Sequence, residues 1–226
     1  MRLVRHLLAD FTPSARARLP ERAVAGLLPP FRAPELEDRV VEVLRRCDLP
    51  GIVCRPTLSL APTQVQLGIS FPFREDGVRV RAAIAAEADD IAAFTDPYQV
   101  AARAGGLGGA IGDAARALIA RGAACGIAVG LIGSAALEAV TGLPYACAVS
   151  DIDLLVKGGD VARYGRFAAD ATEIGRAFGF AVDTEVELAD GSGIKLMELL
   201  SASRSLLAKD LAEVRMVGRD EVLAAL

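Results

Sequence analysis

Residues 130–157 read GLIGSAALEAVTGLPYACAVSDIDLLVK, with Gly133-Ser134 closing an apolar run and Asp151-Ile-Asp153 set among apolar residues. On a strand, residues two apart share a face about 6.5–7 Å apart, so Asp151 and Asp153 project together. Adjacent carboxylates repel unless protonation, a basic partner or a divalent cation neutralises them. Gly133-Ser134, at the start of a helix, offers backbone N–H groups, a hydroxyl and room for close approach, which suits a phosphate. The plainer alternatives are a capping serine and two carboxylates at the solvated start of a strand, with Ser150 capping a turn. Further on, VDTEVEL alternates Asp183, Glu185 and Glu187, so one strand face carries three acids. A third acid beside Asp151 and Asp153 would complete an oxygen-ligand site for magnesium. Lys195, Arg204 and Lys209 follow, either to meet phosphate oxygens or as surface charges.

These residues need a scaffold, and the second half of the chain alternates accordingly. It reads as a helix over about 109–121, a buried strand in GIAVGLIG, and a short helix from Ser134 to Val140. DIDLLVK follows as a strand and DVARYGRFAADATEIGRAFG as a helix. FAVDTEVEL and SGIKLMEL read as strands joined by an ADGSG turn, before a strand in AEVRMV and a last short helix. This order predicts a mixed sheet with helices packed on it, in the α+β (mixed α/β) class. Residues 1–96 read as a smaller α+β domain. Leu36, Val40, Val43 and Leu44 recur at helical spacing, and GIVCR, TQVQLGISFPF and GVRVRAAI form antiparallel strands. FTDPYQVAARAGGLGGAIGD reads as the joint before a second domain over 97–226. Its glycines match neither a Walker loop nor a dinucleotide fingerprint.

Composition narrows the function classes. The 226 residues are 53% hydrophobic, enough for a sizeable core, and the net charge of −4 gives no basic footprint for nucleic acid. Cys47, Cys54, Cys125 and Cys147 are scattered, and His6 is the single histidine, which argues against a zinc site and against a Ser-His-Asp hydrolase built on Ser134. The basic N-terminus carries too short an apolar run for a signal peptide, and no apolar stretch is long enough to span a membrane, so a cytoplasmic protein is expected.

The joint pattern of strand, Gly-Ser, helix, Asp-x-Asp and acidic strand resembles the nucleotidyltransferase superfamily of DNA polymerase β. The closer resemblance, over most of the chain, is to the malonate decarboxylase holo-acyl-carrier-protein synthases, the phosphoribosyl-dephospho-CoA transferases. GSAALEAVTGLPYACAVSDIDLLVK, FAVDTEVELADGSGIKLMELL and RSLLAKDL carry it, with VRHLL, IVCRP and LGISFP in the first half. Leu7 departs from the family's acid after the histidine, Glu185 stands where a glutamine is expected, and Ala208 is inserted before Lys209.

The resemblance implies transfer of the prosthetic group from 2′-(5″-triphosphoribosyl)-3′-dephospho-CoA to a serine of the apo acyl carrier protein of malonate decarboxylase, with release of pyrophosphate. It implies two magnesium ions held by Asp151, Asp153 and a third acid, Asp183 in preference to Glu187, with Glu185 in reserve. It also implies a triphosphate held by Gly133, Ser134 and Lys209. The first domain would take the carrier protein or the CoA moiety, with Arg45, Arg46, Arg55, Arg79 and Arg81 available for an acidic carrier. A citrate lyase carrier, a small-molecule nucleotidyltransferase and a catalytically dead binding relative are the competing readings.

Overall fold

Thr12 accepts the Ala15 N–H and Pro13 fills the first helical position, so a helix begins where the sequence pattern alone shows none. The computed structural model describes residues 3–147 and 150–226, so Ala148 and Val149 of the Gly-Ser to Asp-x-Asp stretch lie outside the described residues. The chain divides into two compact units, Met1–Thr95 with Leu143–Tyr145, and Asp96–Gly142 with Ala146–Leu226.

The first unit runs β1 (Leu8–Phe11), α1 (Pro13–Ala25), α2 (Pro34–Arg46), β2 (Gly51–Val53), β3 (Gln64–Glu75), β4 (Val78–Glu87) and β5 (Ile91–Thr95). The strands form one antiparallel sheet in the order β4-β3-β2-β1-β5. Leu36, Val40 and Leu44 bury the apolar stripe of α2, as their spacing predicts. Helix α1 is hidden in the sequence by Pro20 and its arginines, yet it buries Ala15, Leu19 and Ala23. Arg18 and Arg22 of that helix both pair with the buried Asp90.

Arg79 does not face solvent, which corrects its expected role as a docking arginine. It is 7% exposed, donates to the Phe71 carbonyl at 3.1 Å and to the Tyr145 carbonyl, and lies over the Tyr145 ring. Tyr145 in turn donates its hydroxyl to the Ser70 carbonyl at 2.9 Å. A buried charge tied to carbonyls is costly to remove, because the oxygens are left unpaired. Arg79→Glu should therefore destabilise the protein by roughly 3 kcal/mol or more, while the exposed Arg81→Glu should stay within about 0.5 kcal/mol. Denaturant melts of the two variants make the comparison, and equal midpoints would remove the structural role given to Arg79.

The second unit begins with α3 (Pro97–Ala101), inside the predicted joint, capped by Asp96 through the Tyr98 and Gln99 N–H groups. It continues with α4 (Gly109–Ala124), β6 (Ala128–Leu131), α5 (Gly133–Thr141), β7 (Ile152–Lys157), α6 (Val161–Phe178) and β8 (Val182–Glu187). Then follow β9 (Gly193–Lys195), α7 (Leu196–Leu200), β10 (Ser205–Lys209), β11 (Val214–Gly218) and α8 (Arg219–Ala224). The sheet order is β11-β10-β9-β8-β7-β6. Only β7 and β8 are parallel among these pairs, as the α6 crossover between them requires. SGIKLMEL is a strand only through Lys195 and then turns into α7, where Leu196 and Leu199 recur at helical rather than alternating spacing. Among the described residues no helix is long and apolar enough to cross a membrane.

Candidate active site

Strand pairing brings the acids together. Asp153 on β7 is the register partner of Asp183 on β8, so the two side chains stand beside each other on one face. Alternation along β8 puts Glu185 and Glu187 on that face too. Asp151 lies just before β7 and is exposed, so the strand carries one acid of the Asp-x-Asp pair and its approach carries the other.

Gly133 links this face to α5. The Asp153 carbonyl accepts the Ile132 N–H at 3.1 Å, which fixes the start of α5 against β7. Gly133 has φ +66° and a side chain there would run into the Asp153 carboxylate, so both the conformation and the space demand glycine. The N-cap of α5 is Ile132, and no side chain caps this helix. The first intrahelical bond is Ala136 N–H to Ile132 O, which leaves the N–H groups of Gly133, Ser134 and Ala135 at the helix's positive end. Ser134 is therefore not the N-cap that one plain reading of the sequence allows.

The electrostatics are lopsided. Burial, and then the charges of Asp183 and Asp151, push the Asp153 carboxyl up to about 6. Lys195, the register partner of Glu185 on β9, brings a cation to this row. Its ammonium pairs with Asp183 and lies 3.6 Å from Glu185, whose side chain is 8% exposed. Burial works against the charge on Lys195, but Asp183, Glu185 and Asp153 outweigh it and hold the lysine above its ordinary range.

The other end of the face is closed. Pro97 of α3 packs against Gly130, where a side chain would collide with it. Tyr98 donates its hydroxyl to Glu187 at 2.6 Å, and Lys157 lies 3.3 Å from the same carboxylate and over the Tyr98 ring. Glu187 thus belongs to a Tyr98–Lys157 cluster, four residues along β8 from Asp183. Lys209 shares the face through its pairing with Gly193, on the row of Glu187 rather than that of Asp183. Tyr98 carries no periodic signal, because α3 spans only five residues. A Pro following a capping Asp, with Gln three residues after that Asp, was the helix start that could have revealed it.

Two family models cover nearly the whole chain. The phosphoribosyl-dephospho-CoA transferase MdcG N-terminal domain matches residues 4–97, and the C-terminal domain of the same description matches residues 99–220. The chain belongs to the phosphoribosyl-dephospho-CoA transferase family. A phosphoribosyl-dephospho-CoA transferase of Xanthomonas euvesicatoria pv. vesicatoria is 31% identical over 76% of this chain and 79% of its own. One from Xanthomonas axonopodis pv. citri is 29% identical over 78% and 82%, and one from Bradyrhizobium diazoefficiens 29% over 41% of each. No solved structure matches the chain.

The residues present in this transferase suit a hard divalent cation. The donors are carboxylate oxygens, the type magnesium takes. At Asp183 the ammonium of Lys195 stands in for a cation. Among the described residues no group of three or more His, Cys, Asp or Glu side chains is arranged to hold a metal ion as placed. The acids share a face, and Lys195 occupies one of them.

Proposed function

We propose that the protein transfers the phosphoribosyl-dephospho-CoA group from 2′-(5″-triphosphoribosyl)-3′-dephospho-CoA to a serine of the apo acyl carrier protein of malonate decarboxylase, by nucleotidyltransferase-type chemistry. Family membership supports the group transferred. The observation that carries the chemistry is the side-by-side placement of Asp153 and Asp183 against a Gly-Ser helix start. The carrier's serine oxygen forms a bond to the phosphorus nearest the ribose. The bond from that phosphorus to the pyrophosphate oxygen breaks with its electron pair leaving on pyrophosphate, and the hydroxyl proton passes to water.

Asp153 and Asp183, with Asp151, would hold magnesium, and Asp183 is favoured over Glu187 as the third acid by its register with Asp153. Magnesium bound there supplies Lewis-acid polarisation of the phosphoryl oxygens. The N–H groups of Gly133, Ser134 and Ala135 receive oxygens of the triphosphate, where the helix dipole favours negative charge. The Ser134 hydroxyl adds one hydrogen bond to a charged oxygen. Holding the donor in line with the incoming hydroxyl is worth several kcal/mol of barrier in general.

The test is incubation with this donor and the apo carrier protein, following pyrophosphate release and the mass of the carrier. A carrier left unmodified, while pyrophosphate is released and the phosphoribosyl-dephospho-CoA group appears on another acceptor, would assign the chemistry to a different substrate. Within this reading, Ser134→Ala should raise the Michaelis constant for the donor about tenfold and change turnover much less, because the contact exists before the transition state. Steady-state kinetics decide it, and an unchanged Michaelis constant with collapsed turnover would contradict the assigned role.

A further inference from the structure

The pairing of Lys195 has a consequence for how the acid face takes up a cation. Lys195 and Glu185 are register partners on adjacent antiparallel strands, so their backbones are fixed beside each other. The lysine side chain nevertheless leans along β8 and pairs with Asp183, keeping Glu185 at 3.6 Å. One ammonium therefore serves two carboxylates, the nearly buried Glu185 and the 44% exposed Asp183. Asp183 is also the acid that stands beside Asp153.

We propose that Lys195 is a positioning residue, the built-in counter-ion of the acid face, and that it competes with the divalent cation for Asp183. This rests on the magnesium reading given above. An ammonium on Asp183 cancels part of the field that attracts a second cation and uses acceptor positions on that carboxylate. Glu185 is the alternative partner at short range. When Asp183 turns to a metal, Lys195 keeps a counter-charge without leaving the strand pair. A neutral side chain at position 185 could not serve in this way.

The experiment is titration of the metal-free protein with Mn²⁺ alone, by calorimetry, for wild type, Lys195→Met, Lys195→Arg and Asp153→Asn. Removing the competing charge should make Lys195→Met bind Mn²⁺ about tenfold tighter or more, while Lys195→Arg stays near wild type. Melts in chelator and in Mn²⁺ accompany it. The cation should raise the melting temperature of Lys195→Met by more than that of wild type, as tighter binding to the folded state requires.

A lysine that merely ties β8 to β9 gives a different result. Lys195→Met would then melt lower and bind Mn²⁺ no more tightly, and that outcome overturns the proposal. Loss of Mn²⁺ binding in Asp153→Asn, with tightening in Lys195→Met, supports both the proposal and the magnesium reading. Wild type that binds no Mn²⁺ through Asp153 overturns the magnesium reading and, with it, this inference. Binding through Asp153 that Lys195→Met leaves unchanged or weakens overturns this inference alone.

Discussion

Asp153→Asn should lower the rate of transfer by about a hundredfold or more and, in the metal-free protein at alkaline pH, raise the melting temperature by a few degrees. The two effects share a cause. Asp153 sits at the meeting point of β7, β8 and the start of α5, with Asp183 beside it and Asp151 near. Burial and those charges raise its carboxyl to about 6, above its unfolded value. A raised carboxyl binds its proton more tightly when folded than when unfolded. The ionised form therefore costs stability above pH 6, and the cost fades as pH falls through 6 toward 4. A shift of this size corresponds to about 2 kcal/mol after allowance for the partial exposure of the group. Asparagine keeps the shape and removes the charge. Melts in chelator should show the variant ahead of wild type at pH 8 and level with it near pH 5. Transfer assays in magnesium should show the collapse in rate. A variant that transfers at near-normal rate would end the role given to the acid face. One that melts below wild type at both pH values would mean that the carboxylate is held by bonds to its charged form.

The sequence reads this site better than it reads the framework around it. Asp-Ile-Asp and VDTEVEL are visible because alternation of charged and apolar residues is the strand period itself, and the structure adds the one thing alternation cannot supply, which is register. Asp183, Glu185 and Glu187 are equivalent in sequence. Only the pairing of Ile152 with Val182 sets Asp153 against Asp183 and leaves Glu187 to Tyr98 and Lys157. The missed elements fail for local reasons. Helix α1 carries Pro20 in its interior and three arginines among its apolar positions, and α3 is too short for any periodicity to show. Arg79 and Arg81 look alike in VRVRAA. A register shift between Ser70 and Arg74 on the facing strand accompanies the turn of Arg79 inward, toward the carbonyls of Phe71 and Tyr145. The placing of Leu143–Tyr145 with the first unit has no sequence signal, since it depends on Tyr145 finding the Ser70 carbonyl far away along the chain.

Gly133→Ala should abolish most transfer, a loss of about a hundredfold, and should also lower stability by roughly 1–3 kcal/mol. Two costs act at this position. The backbone is left-handed at φ +66°, where a β-carbon is strained, and that carbon would collide with the Asp153 carboxylate. The first cost is a matter of stability. The second moves the carboxylate, or the start of α5, by a substantial fraction of an ångström. A displacement of that order at reacting groups lowers rates steeply even where the fold survives. The same helix supplies a control that separates them. Gly142, which ends α5, is also left-handed, at φ +69°, but a side chain there meets nothing within 4 Å. Gly142→Ala should lose about 1 kcal/mol by strain alone and keep its rate of transfer. Melting curves and transfer rates of the two variants, measured side by side, give the test. Equal losses of stability with the rate falling only in Gly133→Ala would locate the defect at the Asp153 carboxylate. If Gly133→Ala transfers as fast as Gly142→Ala, the tight approach of the Gly-Ser turn to Asp153 is not what the reaction uses, and the anion site at the start of α5 loses its main support.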